Sequence, residues 1–169
     1  PARELSQQGF GEGQAVATLE SFNLEPEVEV ETYSLDDVGN GMRLARQAAD
    51  TFRYVWEEKR FYRWNGTVWQ HDFDGGMTRE MIKVTDSMAE AGRVNDDEKL
   101  RKWAKASRSA TKITAGVNMA KHLGLSHSAT EWNPNRHLLN VRNGVLDLLT
   151  GELQPHDRSF LMTQTFGAA

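Results

Sequence analysis

Twenty residues near the C-terminus, Leu138 to Asp157 (LLNVRNGVLDLLTGELQPHD), leave little choice of local structure. Asn143-Gly144 and Thr150-Gly151 cut the stretch into three short runs. Asn-Gly is the strongest short hairpin signal, because a type I′ turn needs φ > 0 at both central residues. In the middle run Val145, Asp147 and Leu149 alternate with Leu146 and Leu148, and the outer runs carry Leu138, Leu139, Val141 and Leu153. The pattern predicts a half-buried, three-stranded meander that stops at Pro155, which has no N–H to give a ladder. Neither turn holds a nucleophile, a clustered base or a phosphate-binding loop, so the stretch is scaffold.

Upstream, three helices and one aromatic hairpin are expected. Asp36 or Asp37 can cap a helix running to about Asp50, with Leu44, Ala45, Ala48 and Phe52 as its buried stripe and Gly39-Asn40-Gly41 weakening its first turn. Asn65-Gly66 joins Phe61-Tyr62-Arg63-Trp64 to Thr67-Val68-Trp69-Gln70, which sets Trp64 and Trp69 on either side of the turn, where they form or flank a cross-strand pair. Asp74-Gly75-Gly76 precedes a helix from about Thr78 to Ala91, where Met77, Met81, Val84 and Met88 recur at core spacing and Gly92 is the stop. Asn95, Asp96 and Asp97 offer caps for the longest helix, Glu98 to His122 or Leu123. After Gly124 the chain is turn-rich, with Trp132 as a plug on the core. The fold class is therefore α+β: three main helices, an aromatic β-hairpin and a short C-terminal β-meander.

The longest helix carries the clearest functional signal. Trp103, Ala106, Ala110, Ile113, Val117 and Ala120 form one stripe, and Arg101, Lys105, Arg108 and Lys112 form a narrow stripe opposite. Seven basic residues and no acidic one lie between Lys99 and Lys121. A solvated helix face usually mixes signs to gain i,i+4 pairs. Two explanations remain open: contact with nucleic-acid phosphates, or a solvated face balanced by carboxylates from elsewhere in the fold. At the hairpin, Arg63 and Trp64, with Arg53, Lys59 and Arg60 nearby, could stack unpaired bases at roughly 1–3 kcal/mol per base. Packing of those aromatics on the helices is the favoured alternative, since aromatics dominate small α+β cores.

The net charge of −4 conceals an asymmetry that bears on this point. Residues 1–37 hold one basic side chain against nine acidic ones, a net of −8, which leaves +4 on residues 38–169. The body is mildly basic and the arm acidic, so the whole-chain balance does not argue against a polyanionic partner. Residues 1–33 are expected to be a linker or loosely packed arm, with a short edge strand available over Glu27 to Tyr33. An arm of this charge could also shield the basic face by mimicking DNA. There is no cysteine, which excludes disulfides and thiolate zinc sites. No apolar run approaches the ~18 residues of a membrane span, and a cytoplasmic location is expected.

An apolar pair followed by Asn140, Arg142, Asn143-Gly144, Leu146-Asp147, Thr150-Gly151, Leu153 and Pro155-His156-Asp157 resembles a signature of phage and plasmid primase–helicases. The likeness is to the domain just upstream of the superfamily 3 helicase motor, in the group that includes the poxvirus primase–helicase. It extends from about Asp36-Asp37-Val38-Gly39-Asn40 to about Thr165. The resemblance implies a non-catalytic module over 34–165 that links primase and helicase parts, aids assembly of a hexameric ring and guides single-stranded DNA. It also implies that residues 1–33 join an upstream primase and that 166–169 lead toward a motor this chain lacks. ATP and Mg belong to that motor, and no cofactor is expected here.

None of the fourteen glycines is followed by lysine, so there is no P-loop to hold nucleotide phosphates. Asp72 and Asp74 alternate onto one face, as a two-metal site would need, but beside Gly75-Gly76 they fit turn roles better. His71, His122, His127, His137 and His156 show no metal-ligand spacing. Two further hypotheses accompany the DNA-contacting module: a pure protein–protein assembly module, and a metal-dependent nucleotidyl-transfer or nuclease domain using Asp72 and Asp74.

Overall fold

The computed structural model describes residues 33–167. The acidic arm and its expected strand lie outside the described residues up to Tyr33. Within them the fold is α+β, with four helices and two small sheets.

Helix α1 spans Asp37–Ala48, and the Asp36 carboxylate accepts the Gly39 N–H at 2.7 Å. That backbone bond holds the Asp36 carboxyl below its ordinary value. Leu44, Ala45 and Ala48 are buried as expected, but Phe52 is not part of this stripe. The helix ends at Ala48, the Thr51 N–H bonds back to the Ala48 carbonyl, and Phe52 opens a strand. The two glycines that weaken the first turn have a packing reason. A Cβ on Gly39 would overlap the Ser34 carbonyl, and one on Gly41 would overlap Met119. Glycine is used where another backbone approaches too closely for any side chain.

Helix α2 spans Gly76–Val94, longer at both ends than its apolar stripe suggested. At the start, the Asp72 carboxylate accepts the Gly76 and Met77 N–H groups, both at 2.9 Å, and so satisfies orphan donors of the first turn. Met77, Met81, Val84 and Met88 are buried along one side. Gly92 lies inside the helix and does not end it; a Cβ there would stand 3.0 Å from the Arg101 backbone nitrogen.

The single long helix expected from Glu98 onward is two helices, α3 at Glu98–Ser107 and α4 at Ala110–His122. Ser109 caps the second, its side chain accepting the Lys112 N–H at 3.4 Å. Ser107 is fully buried and takes a hydrogen bond from Asn40 Nδ2 at 3.0 Å. The expected apolar stripe is corrected accordingly: Ala106 and Ala110 are exposed, while Ala104, Gly116 and Ala120 are buried.

The aromatic hairpin forms as expected and belongs to a larger sheet. Strands β1 (Phe52–Val55), β2 (Arg60–Trp64), β3 (Trp69–His71) and β4 (Ser126–His127) are ordered β3-β2-β1-β4, with β4 parallel to β1. Asn65 shapes the hairpin turn, its side-chain oxygen accepting the Thr67 and Val68 N–H groups at 2.9 Å each. Trp64 pairs with Trp69, their ring centroids 5.9 Å apart.

The C-terminal meander is also as expected, with β5 (Leu138–Val141), β6 (Gly144–Asp147) and β7 (Leu153–Gln154) antiparallel in that order. Its first turn differs from a type I′ turn. Val141 pairs with Gly144, so Arg142 and Asn143 make the connection, and neither has positive φ. Gly144 is needed for a different reason: any Cβ there would overlap the Gln154 carbonyl.

Two apolar clusters hold the domain. One joins α1, α2, α3, α4 and β1 around Leu44, Met81, Met88 and Leu125. The other is Val55, Tyr62 and Trp69, with Trp64, Trp132 and Leu161 packed on it. Trp132 thus serves as the plug its position suggested.

Candidate nucleic-acid interface

The two halves of the basic stripe rest on different supports. α3 packs mainly on α2, whereas α4 packs mainly on α1. Arg101 and Lys105 lie on α3, Arg108 is its C-cap residue, and Lys112 lies on α4. The break passed unnoticed in the sequence because the 3–4 spacing continues across it. The signal that could have found it is Ser107-Arg108-Ser109, a serine pair able to close one helix and cap the next.

Carboxylates from three other places meet this stripe. Arg101 pairs with Asp96 of the α2–α3 turn at 3.1 Å, Arg108 with Asp86 of α2 at 2.6 Å, and Lys112 with Asp37 of α1 at 3.2 Å. Lys105 is exposed and has no acidic partner among the described residues. Ion pairs between exposed groups are worth ~0–1 kcal/mol and are screened by salt, so phosphate can compete for Arg101 and Arg108. Lys112 differs. Its ammonium also stands 4.3 Å from the centroid of the half-buried Trp103 ring, which commits its charge to the packing of α1, α3 and α4.

Arg63 and Trp64 lie on β2, in the four-stranded sheet. Arg63 stands 3.4 Å from Asp74, and Trp64 is half-buried against the second cluster. Among the described residues the aromatic most open to solvent is Phe73, at 81 % exposure, just before the α2 N-terminus. Nothing in the sequence separates it from the buried aromatics around it, because exposure at a strand end depends on what packs there.

The other chemical candidates have local duties. Asp72 caps α2, and Asp74 is held below the usual carboxylate range first by its hydrogen bond from Arg79, at 2.8 Å. His71 Nε2 lies 2.7 Å from the Tyr62 oxygen and 3.1 Å from Glu58. Burial and the Glu58 carboxylate push the Tyr62 hydroxyl up to about 12, so it stays protonated and serves no base role at neutral pH. A groove of about 410 Å³ beside the C-terminal end of α1 is lined by Met42, Ala45, Ala49 and Leu123 with Tyr33 and Arg46, and offers no carboxylate or histidine. Among the described residues, no grouping of three or more His, Asp or Glu side chains is placed to hold a metal ion.

His127 gives a measurable pH dependence. It is buried on β4, with Nδ1 3.0 Å from Glu131 and its ring 4.1 Å from that of Trp132. Burial lowers its pKa below the ordinary 6.5; Glu131 and Glu57 oppose the shift and Arg53 adds to it. A lowered folded-state pKa means the unfolded chain takes up this proton first as the pH falls. Its contribution is therefore full above 6.5 and declines as pH drops below that value. Between about pH 7 and about pH 5, the Tm of His127→Gln should fall less than that of wild type. Equal losses would show that another group titrates.

Residues 41–169 match the family described as D5 N terminal like. The chain belongs to that family. D5 N-terminal-like domains are found ahead of the superfamily 3 helicase in phage and plasmid primase–helicases, which places this domain in a DNA-replication context. No curated protein matches the chain. Its match begins within α1 and takes in every later helix and strand, so the Gly41 contact with α4 and the meander both fall inside the family region. No helix among the described residues of the D5 N-terminal-like domain is long and apolar enough to cross a membrane.

Proposed function

We propose that this domain is a non-catalytic module of a phage or plasmid DNA replication primase–helicase. It links the priming part to the superfamily 3 helicase, helps assemble the hexameric ring, and gives single-stranded DNA a weak, sequence-independent hold in the host cytoplasm. ATP and Mg act in the helicase motor. The observation that carries the DNA contact is the exposed outer side of α3, where Lys105 has no acidic partner among the described residues and Arg101 and Arg108 hold only solvent-exposed ones. Arg63 with Trp64 contributes from β2, and Lys112 on α4 adds a weaker pull on phosphate because Asp37 and the Trp103 ring hold its ammonium. These cations act on phosphates as point charges without base readout, and a ring repeats them in each subunit.

The test is single-strand binding by fluorescence anisotropy across a salt series. Combined Arg101→Ala, Lys105→Ala and Arg108→Ala changes should weaken binding at least about tenfold at low salt. They should also flatten the log–log salt slope by about 2, since each single-strand phosphate contact contributes roughly 0.7. Unchanged affinity would remove the DNA-contact assignment. The second reading, an assembly module without nucleic-acid contact, is favoured by the carboxylates that face Arg101, Arg108 and Lys112. Sedimentation with and without oligonucleotide separates the two: self-association without DNA binding supports the second.

A further inference from the structure

The meander has one side turned into the domain and one turned out, and the outward side is the apolar one. Along a strand successive side chains alternate between faces. Asn140 and Val145, opposite each other on β5 and β6, are buried, and Asn140 Nδ2 donates to the Thr67 carbonyl at 3.0 Å. The alternate row is Leu139, Leu146 and Leu153, in register across all three strands. Phe166 bridges Val141 in parallel and so extends the same face. Leu148 follows Leu146 by two residues, its N–H still bonded to the His137 carbonyl at 2.8 Å. Leu148, Leu153 and Phe166 remain 55 %, 49 % and 53 % exposed. An antiparallel sheet with one wet side ordinarily puts polar residues there, and a contiguous apolar face on a folded domain marks a contact surface.

We propose that this leucine face is the docking surface for the helicase domain, met by an uncharged aliphatic surface on it. The assignment rests on the primase–helicase reading above and names the partner of one face. Three observations select this occupant. The face carries no charged side chain, so charge cannot recruit a partner to it from solution. The sheet offers little edge for strand addition: β7 is two residues long before Pro155, and at β5 the Phe166 N–H donates to the Asn140 carbonyl. The segment that reaches Phe166 runs beside β5 on this same face, and in this family the helicase comes after the domain. A helicase domain joined in the same protein is held at an effective concentration that can reach roughly millimolar, enough for a small apolar contact to close.

The 169 residues contain no cysteine, so a single thiol reports cleanly within them. Leu153→Cys and Leu148→Cys are made in this chain and in the full natural protein, and maleimide labelling is followed on the isolated peptide. The control is Glu90→Cys, on exposed α2 surface. In this chain both face thiols should label at the rate of the control. In the full protein they should label at least about tenfold more slowly while the control is unchanged. A full protein that contains the helicase yet labels quickly at both positions overturns this inference and leaves the primase–helicase reading standing. A full protein without a helicase domain overturns both. Protection of the 169-residue chain alone that grows with its concentration shows a second copy on the face, and also overturns the inference.

Discussion

Replacing Asn40 with alanine should cost the domain about 3–4 kcal/mol and lower its Tm by about 10 °C. Asn40 is fully buried in α1 and makes two side-chain hydrogen bonds. Its Nδ2 donates to Ser107 Oγ and its Oδ1 accepts the Trp103 indole N–H, both at 3.0 Å. Truncation strands the Trp103 donor and the Ser107 hydroxyl in a site closed to water, at roughly 1–3 kcal/mol each, and leaves a small void besides. The same residues fix the end of α3 against the start of α1, so the effect reaches the basic face. Urea denaturation gives the number. Ser107→Ala should cost less, and the double variant should cost less than the two single losses combined, because the pair shares one bond. A loss under about 1 kcal/mol in Asn40→Ala would show that the network adds little beyond packing.

Trp69→Ala should cost still more, about 3–5 kcal/mol. Trp69 is fully buried at the centre of the second cluster and donates its indole N–H to the Arg158 carbonyl at 2.9 Å. Its backbone N–H bonds to the Met162 carbonyl at 2.8 Å, so the hairpin and the C-terminal segment meet at this residue. Arg53 lies 5.0 Å from its ring centroid and is lost as a cation–π partner in the same change. Trp64, across the ladder and only half-buried, should cost roughly 1 kcal/mol when replaced by alanine. That contrast also bears on function. If Trp64→Ala weakens single-strand binding while Trp69→Ala acts only through unfolding, the hairpin has a face for bases. If neither affects binding below the melting transition, its aromatics are core alone. Equal stability losses for the two variants would contradict the burial difference.

How much of this was legible in the chain follows from the range of each interaction. A cap at Asp36 or Asp37, the methionine stripe of α2, the hairpin at Asn65-Gly66 and the meander up to Pro155 depend on turn chemistry and periodicity over a few residues, and the sequence by itself determined them. It also determined the absence of a P-loop and the acidic–basic asymmetry between arm and body. Only the tertiary structure decided the rest. The long helix breaks at Ser107 to Ser109, where the buried Ser107 hydroxyl takes a hydrogen bond from Asn40, 67 positions earlier in the chain. Gly39 and Gly41 are retained because a carbonyl and a neighbouring helix come within reach of an absent Cβ. β1 pairs in parallel with β4 across the intervening helices, which pack on α1 and on one another. Asp37 and Asp86 approach the basic stripe through that same packing, and a periodicity argument confined to one helix has no access to them. The leucines of the meander were readable as strand residues, but which of their two sides faces water was set by the Asn140 and Thr67 contact, a pairing of groups 73 residues apart.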